Sequence, residues 1–164
     1  MEIREVRPEE YEEAGRVVAH AYSEFGDRTD EGWEVHLDLV RDVAGRIDRT
    51  VVLIAVEDGR ILGSATIELH GLIGDDDHEL PPGGAVLRMV GVDPSARRRG
   101  VGRALVEEVS DRVRADGRHT LILRTTPSMK AAQRLYESMG FVRDESLDMP
   151  VSEAFTLMGY RLQL

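Results

Sequence analysis

Between Arg97 and Arg103 the chain reads Arg-Arg-Arg-Gly-Val-Gly-Arg, four guanidinium groups and two residues without side chains in seven positions. Guanidinium groups bind phosphate oxygens in a fork, and glycine lets an oxygen-rich ligand come close to backbone N–H groups. The apolar residues Val101, Ala104, Leu105, Val109 and Val113 recur at helical spacing, so Gly100 and Gly102 fall where a helix begins. A helix start has unpaired N–H donors and a partial positive charge, which together suit a phosphate. A bare surface connection with solvated arginines is the plain alternative. Such a density of arginine in a chain with 31 acidic and 21 basic residues argues against it.

The elements that must position this stretch are legible on both sides. Leu87, Val90 and Val92 belong to a strand over Val86–Val92, which Asp93-Pro94 ends, because proline lacks a donor and biases its predecessor away from helix. Gly91 inside that strand predicts a bulge or the close approach of another backbone. After the helix, Thr120–Thr125 reads as the next strand. Met129–Met139 reads as a helix with Ala132, Leu135, Tyr136 and Met139 on its apolar stripe, stopped by Gly140. Two familiar phosphate motifs are excluded. No lysine and Ser/Thr pair follows Gly102, and neither the third small residue nor the acidic strand end of a dinucleotide fingerprint is present.

Arg97-x-x-Gly100-x-Gly102, after a strand ending Val-x-Pro, resembles the pyrophosphate-binding motif of the GNAT superfamily of acyl-CoA-dependent N-acyltransferases. Ala131-Ala132-Gln133-Arg134-Leu135-Tyr136-Glu137-Ser138-Met139-Gly140-Phe141 resembles the same superfamily's second motif, and the two stand in the expected order. The resemblance implies an α/β (α+β) fold, a mixed sheet of about six to seven strands with splayed central strands and about four flanking helices, as one domain over 1–164. It implies acetyl-CoA as co-substrate. The backbones of Val90, Gly91 and Val92 would pair with the pantetheine arm, and Arg97, Arg98, Arg99, Gly100, Val101, Gly102 and Arg103 would hold the pyrophosphate. Ser128 would contribute beside Met129, which stands where related proteins place an asparagine.

The same resemblance implies direct acetyl transfer to a primary amine, with Tyr136 as the general acid for the leaving thiolate. Where many members carry a glutamate base, this chain has Val86 and Arg124, neither of which can take a proton. Glu68, on the polar parity of the strand Ile61–Leu69, is the best remaining carboxylate, followed by His70 and Glu79. The missing carboxylates leave a second reading open, a non-catalytic or regulatory acyl-CoA-binding module. The identity of the acceptor is not written in the sequence.

Composition narrows the remainder. A net charge of −10 argues against a nucleic-acid binder and is compatible with a cationic acceptor. The absence of cysteine excludes disulfides, a thiol nucleophile and a cysteine metal site. The run Asp75-Asp76-Asp77 lacks the alternation of a calcium loop, so no metal is expected. The apolar run Val51–Val56 is too short to span a bilayer, and Met1–Glu5 lacks the blocks of a signal peptide, so a cytoplasmic location is expected. Ile3 and Val6 suit a first strand. Tyr11, Ala14, Val18, Ala21, Tyr22 and Phe25 make one helical stripe, and Trp33, Leu37, Val40 and Ala44 a second. The resemblance sets Tyr22, Phe25 and Trp33 beside an acceptor cleft. Asp58-Gly59 predicts a tight hairpin. Phe155–Leu164 predicts a last strand, apolar enough for the homodimer pairing that many family members use.

Overall fold

Asp58 and Gly59 are both left-handed, with φ of +51° and +75°, and turn β2 (Thr50–Glu57) back into β3 (Arg60–Glu68). This primed turn matches the right-handed twist of the strands it joins. The hairpin is taken from a computed structural model that describes residues 1–26, 31–70, 80–152 and 155–164. The other strands are β1 (Glu2–Glu5), β4 (Gly84–Val92), β5 (Thr120–Thr125), β6 (Val142–Arg143), β7 (Met149–Ser152) and β8 (Phe155–Gln163). The helices are α1 (Tyr11–Tyr22), α2 (Glu31–Arg41), α3 (Val101–Ala115) and α4 (Lys130–Ser138). The strands hydrogen-bond in the order β1-β2-β3-β4-β5-β8-β6, with β7 on β8. β4 and β5 are parallel, whereas β1–β2, β5–β8, β6–β8 and β7–β8 are antiparallel, so the sheet is mixed. Eight strands stand among the described residues where about six to seven were expected. The extra one is β7, whose Met149 and Pro150 carry no alternation long enough to announce it.

The chain forms two compact units, Met1–Ile67 with Met89–Val109, and Glu68–Arg88 with Ser110–Leu164. In the first, Ala14 and Val17 of α1 pack with Val6, Val43, Val52, Ile54 and Ile61. Val18 and Ala19 pack with Leu37 and Val40 of α2 and with Met89. The second helical stripe was expected to run to Ala44, but α2 ends at Arg41 and Ala44 is exposed. Val43 is buried in its place, and Arg46 turns back so that Nη1 donates to the carbonyls of Leu39, Val40 and Asp42 at 3.1, 3.1 and 2.8 Å. A cation on the last carbonyls of a helix satisfies orphan acceptors at its negative end. At the N-terminus Arg4 forks onto Glu10 at 2.8 and 2.7 Å, and the Arg7 N–H donates to the same carboxylate at 2.9 Å. The Arg4 hydrogen bonds hold the Glu10 carboxyl down at about 2.

The second unit is organised on β8, which pairs with β5 from Thr120↔Gln163 to Thr125↔Met158 and also receives β6 and β7. Val86, Ile122 and Leu147 form its apolar cluster. In β3 the expected alternation does not divide inside from outside, since Ser64, Thr66 and Glu68 are all buried. β3 lies between β2 and β4, and an interior strand covered on both faces must take its polar residues inside. Ser64 is satisfied there by donating to the Leu53 carbonyl at 2.9 Å. Among the described residues, no helix is long and apolar enough to cross a membrane.

Candidate acyl-donor and acceptor site

β4 changes character half-way along. Its registered pairing with β5 covers Gly84↔Thr120 to Leu87↔Leu123, yet the strand runs on to Val92. Two residues past the last pair, Met89 adopts φ +51°, a left-handed conformation that a side chain other than glycine seldom takes. This is the distortion that Gly91 suggested, displaced to a residue with no such mark. Gly91 has the other role expected of it. A Cβ there would stand 2.9 Å from the Cα of Val18, so α1 approaches the strand as closely as backbone allows. Val90 and Val92, on either side, are half-buried. Met89, Tyr22 and Trp33 all pack against the cluster of Val18, Ala19, Leu37 and Val40. His36 lies with its ring centroid 6.2 Å from that of Tyr22 and 5.3 Å from that of Trp33. Of the three aromatics that the resemblance set beside an acceptor cleft, Tyr22 and Trp33 thus share a cluster, joined by His36 and Met89, which no sequence motif marked.

The turn after β4 is held by side chains on every side. The Asp93 N–H donates to the Leu62 carbonyl at 2.8 Å. The Asp93 carboxylate accepts from the Ser95 N–H at 2.8 Å and the Ser95 hydroxyl at 2.6 Å, and Arg60 donates to it at 3.1 Å. These bonds, that of Ser95 first, hold the Asp93 carboxyl below the usual range. A short 3-10 turn, Pro94–Ala96, follows, with Ala96 buried. Arg98 and Gly100 are left-handed, φ +61° and +82°, with a residue of ordinary φ between them. Alternation of this kind turns successive N–H groups to one side and makes an anion-binding concavity. The ladder of α3 opens with the Ala104 N–H on the Gly100 carbonyl at 3.0 Å, which leaves the N–H groups of Val101, Gly102 and Arg103 unclaimed by the helix itself. A Cβ on Gly100 would meet nothing within 4 Å, so open space lies beside the turn. The residues present therefore suit a bulky anion.

The arginines of this turn do not all serve alike. Arg97 pairs with Glu24 and reaches the Ala21 carbonyl at 3.5 Å, and Arg99 pairs with Glu57. The Arg99 hydrogen bond lowers the Glu57 carboxyl. Arg103 stands 4.0 Å from Glu107, and Arg98 makes no ion pair among the described residues. Glu24 and Glu57 lie far away in sequence, and nothing local marked them as partners.

The second unit holds the residues the sequence offered as acid and base. Glu68, at the end of β3, accepts from Arg88 Nη1 of β4 at 2.8 Å, with side-chain exposures of 10% and 32%. Arg88 was overlooked, since a lone arginine in an apolar strand carries no motif. Arg124 donates from Nε to the Leu147 carbonyl at 2.6 Å and from Nη1 to Met149 Sδ at 3.7 Å. Val86 belongs to the apolar cluster. His70 is exposed, with Nδ1 at 3.5 Å from Arg118, and Glu79 and the acidic run beside it lie outside the described residues.

Tyr136 is buried on α4, its ring 5.6 Å from that of Phe141. The helix end secures this pair, because the Phe141 N–H donates to the Tyr136 carbonyl at 3.1 Å while left-handed Gly140 turns the chain. Gln133, also buried, donates to the Thr126 and Pro127 carbonyls at 2.8 and 3.3 Å and so ties α4 to the end of β5. Ser128 is exposed in that connection, its hydroxyl 2.8 Å from that of Thr126.

A model of the Acetyltransferase (GNAT) family matches residues 7–141. The chain belongs to this family. A mycothiol acetyltransferase of Cellulomonas flavigena is 33% identical over 145 residues, which make up 86% of this chain and 40% of that protein. The chain thus spans well under half the length of this relative. Among solved structures, a GNAT-family protein from Desulfovibrio desulfuricans superposes with a TM-score of 0.73 at 25% identity, covering 99% of this chain and 98% of that one. An acetyltransferase of Salmonella typhimurium, solved with acetyl-CoA, superposes with a TM-score of 0.70 at 23% identity, covering 100% and 94%. The mixed sheet and four helices are those of GNAT structures.

Proposed function

We propose that this GNAT chain transfers the acetyl group of acetyl-CoA directly to a primary amine. The observation that carries the reading is the turn from Asp93 to Gly100, where left-handed Arg98 and Gly100 precede an open helix start directly after a strand that has left its parallel partner. The N–H groups from Gly100 to Arg103 and the guanidinium of Arg98 hold the pyrophosphate. The backbones of Val90, Gly91 and Val92 serve the pantetheine arm where β4 runs beyond its pairing with β5. When bound, acetyl-CoA supplies a thioester as acyl donor.

The chain's own residues do the rest. A backbone N–H of the distorted strand takes the negative charge that grows on the carbonyl oxygen during attack. Glu68, positioned by its hydrogen bond from Arg88, receives the ammonium proton of the acceptor, which is otherwise held with a pKa near ~10. Tyr136 returns a proton to the leaving thiolate, its ring held by Phe141 and the closed end of α4. Ser128 is the polar contact that replaces an asparagine beside Met129.

Calorimetric titration with acetyl-CoA, followed by thiol release over a panel of amines, tests this. Binding at micromolar concentration with release for one class of amine is expected. Failure to bind any acyl-CoA would overturn the reading. A second reading, a regulatory acyl-CoA-binding module, is favoured by the apolar surroundings of Val86 and the anchored side chain of Arg124. Tight binding with no release for any amine would select it.

A further inference from the structure

Glu68 and Arg88 form an ion pair that is only half used. Arg88 gives one of its five N–H donors to Glu68 and makes no other hydrogen bond or ion pair among the described residues, and a third of its side chain is exposed. A fork left open in this way is shaped for a planar carboxylate. Its place in the fold adds to this. Arg88 and Arg124 are the first residues past the last registered couple of β4 and β5, Leu87↔Leu123. Arg124 is fixed to the Leu147 carbonyl and Met149, and its charge also lowers the Asp148 carboxyl, so it offers no open fork and Arg88 alone does.

We propose that Glu68 and Arg88 bind the ammonium and the carboxylate of one zwitterion, and that the acceptor is a free α-amino acid. This rests on the acetyl-transfer reading given above. A simple amine brings only a cation, which answers Glu68 and leaves the Arg88 fork open. A peptide N-terminus has no carboxylate beside its amine. An α-amino acid has both charges separated by one carbon, and it answers both halves of a pair whose own charged atoms are 2.8 Å apart.

The test uses the full chain and separates binding from turnover. The twenty amino acids and their amides are compared by thiol release from acetyl-CoA, and the N-acetyl amino acids and their amides are compared as product ligands by calorimetry. At least one amino acid is expected to exceed its amide by about 10-fold or more in both assays, the scale of a charge-assisted hydrogen bond. Arg88→Gln alone would strand a buried carboxylate, so it is paired with Glu68→Gln. The double variant should lose the preference for acid over amide in the binding assay, whereas Arg88→Lys should keep part of it. Glu68→Gln alone should lower kcat for every acceptor while retaining the carboxylate preference in product binding. Equal binding of acids and amides by the parent protein, or a preference that survives the double variant, would overturn the proposal while acetyl-CoA still binds. Loss at the acetyl-CoA titration itself would instead remove the transferase reading and this proposal with it.

Discussion

The turn at 93–103 in the first unit and, in the second, the Glu68–Arg88 pair and Tyr136 are built by opposite means. In the turn, backbone N–H groups are the atoms we propose for binding, and side chains such as Asp93, Ser95, Arg60 and Glu57 set the shape of the main chain. In the second unit, side chains are the atoms we propose for proton transfer, and main-chain devices hold them. Strand register puts Arg88 beside Glu68, and the carbonyl of Tyr136 anchors Phe141 under its ring. An anion is met well by many weak donors arrayed along a curved backbone. Proton transfer needs single titratable groups at fixed positions. The contrast explains why substitutions in the first region should act on affinity, and in the second on rate.

The sharpest challenge to that division is Tyr136→Phe. It should lower kcat by roughly 10²-fold or more while leaving the acetyl-CoA dissociation constant within about twofold, read by steady-state kinetics beside calorimetry. A fall in affinity with rate preserved would erase the distinction. Next in size, Gly91→Ala forces a methyl to within 2.9 Å of the Val18 Cα. It should cost about 2–3 kcal/mol, seen as a Tm lower by roughly 5–10 °C, because α1 cannot retreat without repacking Leu37 and Val40. An unchanged Tm would mean that the close approach is not needed. Asp93→Ala removes the acceptor that shapes the turn. A loss of about 1 kcal/mol in stability and a fivefold or so weaker hold on acetyl-CoA, with kcat at saturation retained, would fit a region that binds through its backbone.

The smallest effect lies outside both regions and serves as their control. The Glu10 carboxyl is held at about 2, below its unfolded value near 4.5, by the Arg4 hydrogen bonds. Its contribution is therefore complete above pH ~4.5 and is lost as pH falls toward 2. For a pair one-fifth exposed this amounts to about 1 kcal/mol after solvent screening. Denaturant unfolding between pH 6 and pH 3 should show a shallower acid loss in Glu10→Gln than in the parent, with acetyl-CoA binding at pH 7 untouched.

Legibility followed the same line. The hairpin at Asp58-Gly59, the end of α4 at Gly140, the start of α3 and the intrusion at Gly91 were all readable, since each is a local conformational demand written in adjacent residues. Ala44 misled because helical spacing outlasts the helix itself, whose last carbonyls are met by Arg46 folding back from just beyond its end. Ser64 and Thr66 share the parity of Glu68 and are buried with it, since alternation says which residues share a face and not whether that face meets water. Met89 gave no sign, as its backbone is imposed by the packing of its side chain among α1 and α2 residues.

The family, the order of the elements and the turn we propose for the pyrophosphate followed from the order of residues, because Gly100, Gly102 and the arginines act within a single turn of chain. Which cations are committed to carboxylates and which stay open was decided only by the fold. Arg97 meets Glu24, Arg99 meets Glu57 and Arg88 meets Glu68 across separations that no local pattern encodes. Such pairs depend on strand register and helix packing, and these are settled by burial of the whole core, not by the few residues that profit from it.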